Sequence, residues 1–197
     1  KSAAPWYLML PEAGTERGPC VTIARGRSPR GPFESCPANP VFTHRSSPHP
    51  VQNVGHADLV QSPLGKWAAV YLGVRPRGST PGFHVLGRET FLAGVEWVDG
   101  WPVFVEGAFE VSPDEDGFID EFTTGVLDSR WVAPDNEPAT VTEYAVDGGL
   151  RFVSWGEATD VLCARVKDFM WEAAAQVETS GAIGLRLDDR HWCAVVF

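Results

Sequence analysis

Residues 95–104 of the chain read Val95-Glu96-Trp97-Val98-Asp99-Gly100-Trp101-Pro102-Val103-Phe104. Short runs rich in valine and aromatic residues stand on both sides of Asp99-Gly100, and such residues favour strands. Asp-Gly between two runs of this kind is typical of a two-residue type I′ turn. The segment therefore predicts a β-hairpin that turns at Asp99-Gly100.

Further short strands are predicted on both sides of this hairpin. Residues 67–72 follow the turn at 62–65 and predict a buried strand, and residues 21–24 predict another. Residues 144–153 predict a second hairpin around Asp147-Gly148-Gly149. Almost no segment keeps a helical period, so we predict an all-β chain.

The segment Phe169–Val177 is ambiguous, because Ala173-Ala174-Ala175 favours a helix by propensity. Its apolar residues nevertheless alternate with polar ones on a two-residue period, and this pattern predicts a strand. Ile183, Leu185 and Leu187 repeat the pattern before a turn at Asp188-Asp189. Short strands alone do not distinguish a sandwich, a barrel or a propeller.

A change in composition around Ser112–Gly117 indicates a domain boundary, which we place between residues 1–112 and 113–197. The chain begins with Lys1, and it stops in Ala194–Phe197, a run typical of the middle of a strand. We therefore expect both ends to lie within a longer protein.

The composition excludes several classes of protein. With 44% hydrophobic and 21% charged residues it is ordinary for a globular protein, and nothing approaches the roughly 18 apolar residues of a transmembrane helix. A formal net charge of −10 argues against nucleic acid or an anionic membrane as a partner. The acidic segment 110–121 lacks the EF-hand spacing and indicates a solvated connection. The cysteines lack CxxC spacing, which argues against zinc, and we predict buried or half-buried free thiols at Cys20, Cys36, Cys163 and Cys193.

A series of motifs runs through residues 7–104. It opens with a short strand that ends in a small-residue turn and displays the carboxylate of Glu12. The later members, in order, are Val21-Thr22-Ile23-Ala24-Arg25, Gly31-Pro32-Phe33-Glu34, Asn39-Pro40, Thr43-His44-Arg45, Val54-Gly55-His56-Ala57-Asp58-Leu59-Val60 and Leu86-Gly87-Arg88-Glu89-Thr90.

This series resembles glycoside hydrolase family 43, in its β-xylosidase and α-L-arabinofuranosidase branch. Residues 118–197 resemble the C-terminal β-sandwich of that family, through Phe118–Phe122, Leu127–Trp131 and Gly181–Leu185. The resemblance implies the later part of a five-bladed β-propeller followed by an incomplete jelly-roll, concanavalin-like sandwich. It also implies a glycosidase that releases terminal xylose or arabinofuranose from oligosaccharides by inverting hydrolysis.

Inverting hydrolysis needs a carboxylic acid that protonates the leaving oxygen and a carboxylate that activates water, about 6.5–9.5 Å apart. The resemblance assigns the acid role to Glu12, and such an acid needs a raised pKa from burial or a neighbouring carboxylate. The family's general base and its second aspartate match no position in this chain and would lie upstream of Lys1. We therefore expect the chain alone to be inactive.

Two further residues are assigned to the sugar pocket by the resemblance. His56 matches a histidine at the propeller axis, although a lone histidine in an apolar strand is more often a hydrogen-bonded core residue. Arg88 matches an arginine that reaches the sugar, and its alternative role is a structural ion pair. Glu89 is a poor partner for that pair, because neighbours on a strand face opposite ways. Structural roles are expected for Arg25, His44 and Arg45.

Three residues near Glu12 depart from the family pattern. Ala13 replaces a glycine of the turn, Pro19 stands where the family often has a histidine, and Cys20 replaces a small apolar residue. These changes affect the detail of the pocket more than the role of Glu12.

Two other functions stay open, an endo-arabinanase on the same propeller and a non-catalytic carbohydrate-binding protein. No cofactor is expected to be required, no residue is assigned to a metal, and no motif supports a structural calcium ion. We expect an oligosaccharide as the partner, with neither nucleic acid nor membrane. Homo-oligomerisation and the choice between a cytoplasmic and a secreted protein stay open.

Overall fold

The computed structural model describes residues 4–14, 18–109, 117–153 and 160–197. Apart from one four-residue helix, its regular elements are β-strands, which confirms the all-β prediction. The chain divides into two compact units, unit 1 (residues 1–111) and unit 2 (residues 112–197). Most of the predicted boundary and of the acidic segment lies outside the described residues. No helix within the described ranges has the length and apolar character needed to cross a membrane.

Unit 1 begins with a three-stranded antiparallel sheet. Its strands are β1 (Trp6–Glu12), β2 (Cys20–Gly26) and β3 (Phe33–Ser35), in the order β1-β2-β3. The last residue pair between β1 and β2 is Glu12 opposite Cys20. Glu12 therefore ends its strand immediately before the turn that begins at Ala13.

The second sheet of unit 1 is a four-stranded antiparallel meander. It consists of β4 (Gln52–Gln61), β5 (Trp67–Val74), β6 (Glu89–Val98) and β7 (Trp101–Val105), in sequential order. Four sequential antiparallel strands are the usual blade of a β-propeller. The strand predicted over residues 67–72 and the hairpin predicted over residues 95–104 are both confirmed by these elements.

The turn between β6 and β7 has the predicted geometry. Val98 pairs with Trp101, and the φ angles of Asp99 and Gly100 are 51° and 74°, as a type I′ turn requires. Arg25 of β2 donates from Nη1 to the Asp99 carbonyl at 3.0 Å, and the Tyr7 hydroxyl donates to the Gly100 carbonyl. The turn is therefore fixed to the first sheet, in keeping with a structural role for Arg25.

Gly100→Ala is expected to lower the free energy of unfolding by about 1–2 kcal/mol, because a side chain is unfavourable at positive φ. A Cβ atom at this position would also lie 3.0 Å from Nη1 of Arg25. Gly117→Ala is the control variant, and urea denaturation of both variants measures the difference in stability. Gly117 has no heavy atom within 4 Å of its Cβ position. An equal loss of stability in the two variants would contradict a specific role for the turn.

The core of unit 1 is centred on Phe42, which follows β3 and forms an isolated bridge with Val21 of β2. Its ring stacks on Phe104 of β7 at a centroid distance of 4.7 Å and meets Tyr71 of β5 edge-on at 4.8 Å. Val54 of β4 is fully buried in the same cluster. The core thus joins residues of both sheets.

Strand β4 carries two β-bulges. Between Gln52 and Gly55, and again between Gly55 and Asp58, it advances three residues where β5 advances two. Each bulge contains a residue other than glycine at positive φ, Asn53 at 55° and His56 at 53°. Bulges change the direction of a side chain relative to a regular strand. Residues other than glycine at positive φ are uncommon.

Unit 2 contains three two-stranded antiparallel sheets within its described residues. They pair β8 (Trp131–Val132) with β11 (Cys163–Ala164), β9 (Thr142–Tyr144) with β10 (Leu150–Phe152), and β12 (Ala182–Arg186) with β13 (Trp192–Val196). The helix α1 (Pro138–Val141) precedes β9 and had no signal in the sequence analysis. The β9–β10 pair confirms the second predicted hairpin, and β12 confirms the strand predicted around Ile183–Leu187.

Two predictions for unit 2 are wrong. Residues 169–177 form no strand, and residues 171–177 are exposed. Alternation defines the two faces of a strand, but a strand also needs a neighbour for its backbone groups, and no described strand pairs with this segment. All four cysteines are free as predicted, yet Cys193 is exposed because every residue of β13 is exposed.

Candidate functional site

Glu12 is exposed at the end of β1, and a neighbouring hydroxyl orients its carboxylate. Thr22 Oγ1 donates a hydrogen bond of 2.9 Å to Oε1 of Glu12. Since Glu12 pairs with Cys20 and Leu10 pairs with Thr22, the two side chains lie on the same face of the sheet. Thr22 had not been singled out from the sequence, because its contact with Glu12 depends on the register of β1 and β2.

Glu12 also lines an open cavity of about 360 Å³. Asn39, another lining residue, is held on β2 because its side chain donates to the Ile23 carbonyl and accepts from the Ile23 amide, both at 2.9 Å. Arg45 brings a guanidinium to the lining and lies 4.0 Å from the sulfur of Cys20. The cavity therefore offers a carboxylate, a cation and neutral polar groups, the kinds of side chain that bind sugar hydroxyls.

His56 lies in the second bulge of β4, where its side chain is exposed. Within the described ranges its imidazole forms no hydrogen bond, so it is not a hydrogen-bonded core residue. Its neighbour Gly55 packs closely against Pro19, since a Cβ atom on Gly55 would lie 3.3 Å from the Pro19 Cβ. Pro19 precedes Cys20, the residue opposite Glu12, and this contact brings the bulge near the end of β1.

Arg88 directly precedes β6 and is exposed. Its neighbour Glu89 is occupied by another cation, because Arg75 Nη2 lies 2.8 Å from Glu89 Oε1 and Arg75 Nε lies 3.0 Å from Glu89 Oε2. In the part of the chain that the structure describes, the Arg88 guanidinium forms no ion pair, with Glu89 or any other residue. An exposed guanidinium of this kind can bind a ligand.

The sheet register places His56 and Arg88 two strands apart and three residues apart along the strand direction. Gly55 of β4 and Thr90 of β6 are both opposite Leu72 of β5, so Gly55 and Thr90 lie in one row across the sheet. Two strand spacings, about 10 Å, separate Gly55 from Thr90. His56 follows Gly55 directly and Arg88 lies two residues before Thr90. Among the described residues, no hydrogen bond or ion pair joins Glu12, His56 and Arg88 to one another, and neither His56 nor Arg88 lines the cavity at Glu12.

A second polar cluster was not predicted. His44 is buried and lies 2.8 Å through Nε2 from Oε2 of Glu106, and the Tyr71 hydroxyl donates to Oε1 of Glu106 at 2.8 Å. Burial, with the hydrogen bond and charge of Glu106, raises the pKa of Tyr71 well above its usual range. The structural role expected for His44 fits this contact, whereas no sequence signal marks Glu106, which lies 62 residues further along the chain.

A sequential four-stranded sheet beside a second sheet, with a hydroxyl-bonded carboxylate at a strand end, is the arrangement expected of a β-propeller blade near a ligand site. The family follows from the sequence: the model of glycosyl hydrolases family 43 matches residues 3–102. The chain belongs to this family, and the resemblance stated from its motifs is confirmed.

Curated relatives match the same region. A xylosidase/arabinosidase of Butyrivibrio fibrisolvens is 43% identical over 143 residues, which cover 64% of this chain and 27% of that protein. The non-reducing end alpha-L-arabinofuranosidase BoGH43B of Bacteroides ovatus is 50% identical over 99 residues, 49% of this chain and 18% of that protein. The chain thus spans about a quarter or less of the length of these relatives.

Solved structures confirm the predicted fold. The crystal structure of a GH43_12 protein retrieved from capybara gut metagenome has a TM-score of 0.68 and 29% identity, and the match covers 84% of this chain and 34% of that one. The GH43 BlXynB protein of Bacillus licheniformis has a TM-score of 0.57 and 36% identity, with coverages of 66% and 27%. The chain is accordingly part of a β-propeller followed by part of a β-sandwich.

Proposed function

We propose that the complete protein is a glycosidase that releases terminal xylose or arabinofuranose from xylo- and arabino-oligosaccharides with inversion. The observation that carries the proposal is Glu12, an exposed carboxylate at a strand end that lines an open cavity within the family match. The relatives named as xylosidase/arabinosidase and arabinofuranosidase support a pentose as the sugar.

Glu12 is proposed as the general acid that protonates the leaving oxygen. Thr22, which also lines the cavity, orients this carboxylate through a hydrogen bond to Oε1. A general acid at neutral pH needs a raised pKa, which burial by substrate or a second carboxylate supplies. The base and that second carboxylate are proposed to come from residues of the complete protein outside this chain.

His56 and Arg88 are proposed as substrate-binding residues. His56 is exposed on β4 and Arg88 is exposed just before β6, and neither side chain forms a hydrogen bond within the described ranges. Five N–H donors make a guanidinium suited to several sugar hydroxyls at once. The bulge at His56 supports its role, since bulges are frequent next to active sites, where they redirect a side chain.

The proposal is tested by incubating the complete protein with xylo- and arabino-oligosaccharides and following the products by proton NMR. We expect monosaccharide from the first time point, with the anomeric configuration opposite to that of the substrate. Longer products from internal cleavage would indicate an endo-acting enzyme instead. Binding without hydrolysis would indicate a carbohydrate-binding protein, and either result would overturn the proposal.

A further inference from the structure

Three metal-ligating side chains meet beside the core of unit 1. His44 and His49 come from the segment between β3 and β4, and Glu106 directly follows β7. Nε2 of His44 lies 2.8 Å and Nε2 of His49 lies 4.0 Å from Oε2 of Glu106. One ligand atom from each of the three lies within 4.8 Å of the other two.

Both ring nitrogens of His44 face an oxygen atom. Nδ1 of His44 lies 2.8 Å from the Val51 carbonyl, which only accepts, so Nδ1 carries a proton. Nε2 lies 2.8 Å from Oε2 of Glu106, so either a proton on Nε2 or a metal ion can join the two atoms.

The other ligand atoms are oriented as in a metal site. Nδ1 of His49 lies 3.1 Å from the same Val51 carbonyl, so both imidazoles can donate to it and direct Nε2 towards Glu106. The Val51 amide also lies 3.2 Å from Nδ1 of His49 and can donate to it. In that tautomer the proton of the neutral ring is on Nε2, and it must leave Nε2 before a metal binds there. Oε1 of Glu106 accepts from Tyr71, which leaves Oε2 for an ion. Ligating histidines usually donate their second ring N–H to a carbonyl or carboxylate in this way.

The donor set selects the kind of ion. Two imidazole nitrogens and one carboxylate oxygen suit zinc and similar divalent transition metals, whereas calcium and magnesium prefer oxygen donors alone. Ligand atoms about 2.0–2.1 Å from a tetrahedral zinc ion lie about 3.3 Å apart. The two distances to Oε2 of Glu106, 2.8 and 4.0 Å, bracket this value, and the ligand atoms of the two histidines lie within 4.8 Å of each other. The side chains of His49 and Glu106 are about one-third exposed, which leaves a fourth position open to water.

We propose that His44, His49 and Glu106 bind one divalent ion of the zinc class, with water as the fourth ligand. The ion would join the segment before β4 to the end of β7. The site shares no residue with the proposed glycosidase site at Glu12, His56 and Arg88. No residue was assigned to a metal from the sequence, and Glu106 lies 62 residues beyond His44 in the chain.

The test uses the complete protein, freed of metal with a chelator and then dialysed, titrated with Zn²⁺ alone by isothermal calorimetry. We expect one equivalent to bind, and the affinity to fall by about 100-fold or more in His49→Gln. His49 is half-buried, so this variant avoids a change in the buried core. His84→Gln, at an exposed histidine, is the matched control and is expected to bind as the wild type does.

The visible absorption spectrum of bound Co²⁺ is a second measurement of the site. It distinguishes a metal ion from a proton shared by His44 and Glu106, because a proton produces no such absorption. Co²⁺ in the wild-type protein is expected to show the visible absorption bands of a tetrahedral site, and these bands are expected to be absent in His49→Gln. Equal zinc affinity in the wild type and His49→Gln, or an equal loss in His84→Gln, would overturn the proposal. Circular dichroism of His49→Gln confirms that the variant is folded, so that a lost signal reports the site.

Discussion

Replacing Glu12 by glutamine in the complete protein is expected to lower kcat for a xylo- or arabino-oligosaccharide by about 10²–10⁴-fold. Glutamine has nearly the same shape and can still accept the hydrogen bond that Thr22 donates to Oε1. It has no acidic proton for the leaving sugar oxygen, a poor leaving group without protonation. KM is expected to change little, because the change removes proton transfer and leaves most of the cavity intact. Steady-state kinetics of the two proteins measures both constants.

Two substrates with different leaving groups show whether Glu12 acts as an acid or only has a structural role. A nitrophenolate departs without a proton, so Glu12→Gln is expected to affect nitrophenyl pentosides far less than oligosaccharides. Glu34→Gln is the matched control, since Glu34 is an exposed glutamate of the same sheet that pairs with Arg25 at 3.1 Å. Its activity is expected to stay within about twofold of the wild type, as for most exposed ion pairs. Equal losses on both substrates, or full activity on the oligosaccharide, would show that Glu12 is not the acid.

Local signals explain the elements that the sequence predicted well. The hairpin at residues 95–104 is specified by its turn residues and by the strand-forming runs beside them, and both act within a few residues. The same is true of the strand end at Glu12, where the small residues Ala13 and Gly14 take positive φ angles of 65° and 72°. Ala13, which stands where the family has a glycine, thus takes a positive φ although it has a Cβ atom.

Non-local contacts explain what the sequence could not predict. The bulges at Asn53 and His56 depend on how β4 pairs with β5, and alternation along β4 gives no indication of an extra residue. Glu106 meets His44 only because β7 lies beside the core. The strand wrongly predicted over residues 169–177 fails for the converse reason, because its pattern is local but a strand also needs a partner.

Phe42 is the position where a core substitution is expected to be most damaging. Phe42→Ala is expected to lower the free energy of unfolding by about 3–5 kcal/mol, because the lost ring leaves a cavity that its neighbours fill only in part. The residue is 7% exposed, and its ring contacts Phe104, Tyr71 and His44 at centroid distances of 4.7, 4.8 and 5.2 Å. Urea denaturation, followed by tryptophan fluorescence, measures the change.

Two further variants test whether the loss of stability comes from the void that Phe42→Ala leaves in the core or from the loss of any aromatic ring. Phe83→Ala removes a ring that is 58% exposed and is expected to cost less than about 1 kcal/mol. Phe42→Leu keeps most of the buried volume and is expected to cost less than Phe42→Ala, in proportion to the smaller cavity. If Phe42→Ala and Phe83→Ala lowered the free energy of unfolding equally, the contacts of Phe42 with both sheets would not be a main source of the stability of unit 1. A loss confined to Phe42, graded from leucine to alanine, would identify packing between β2, β5 and β7 as a main source of the stability of unit 1.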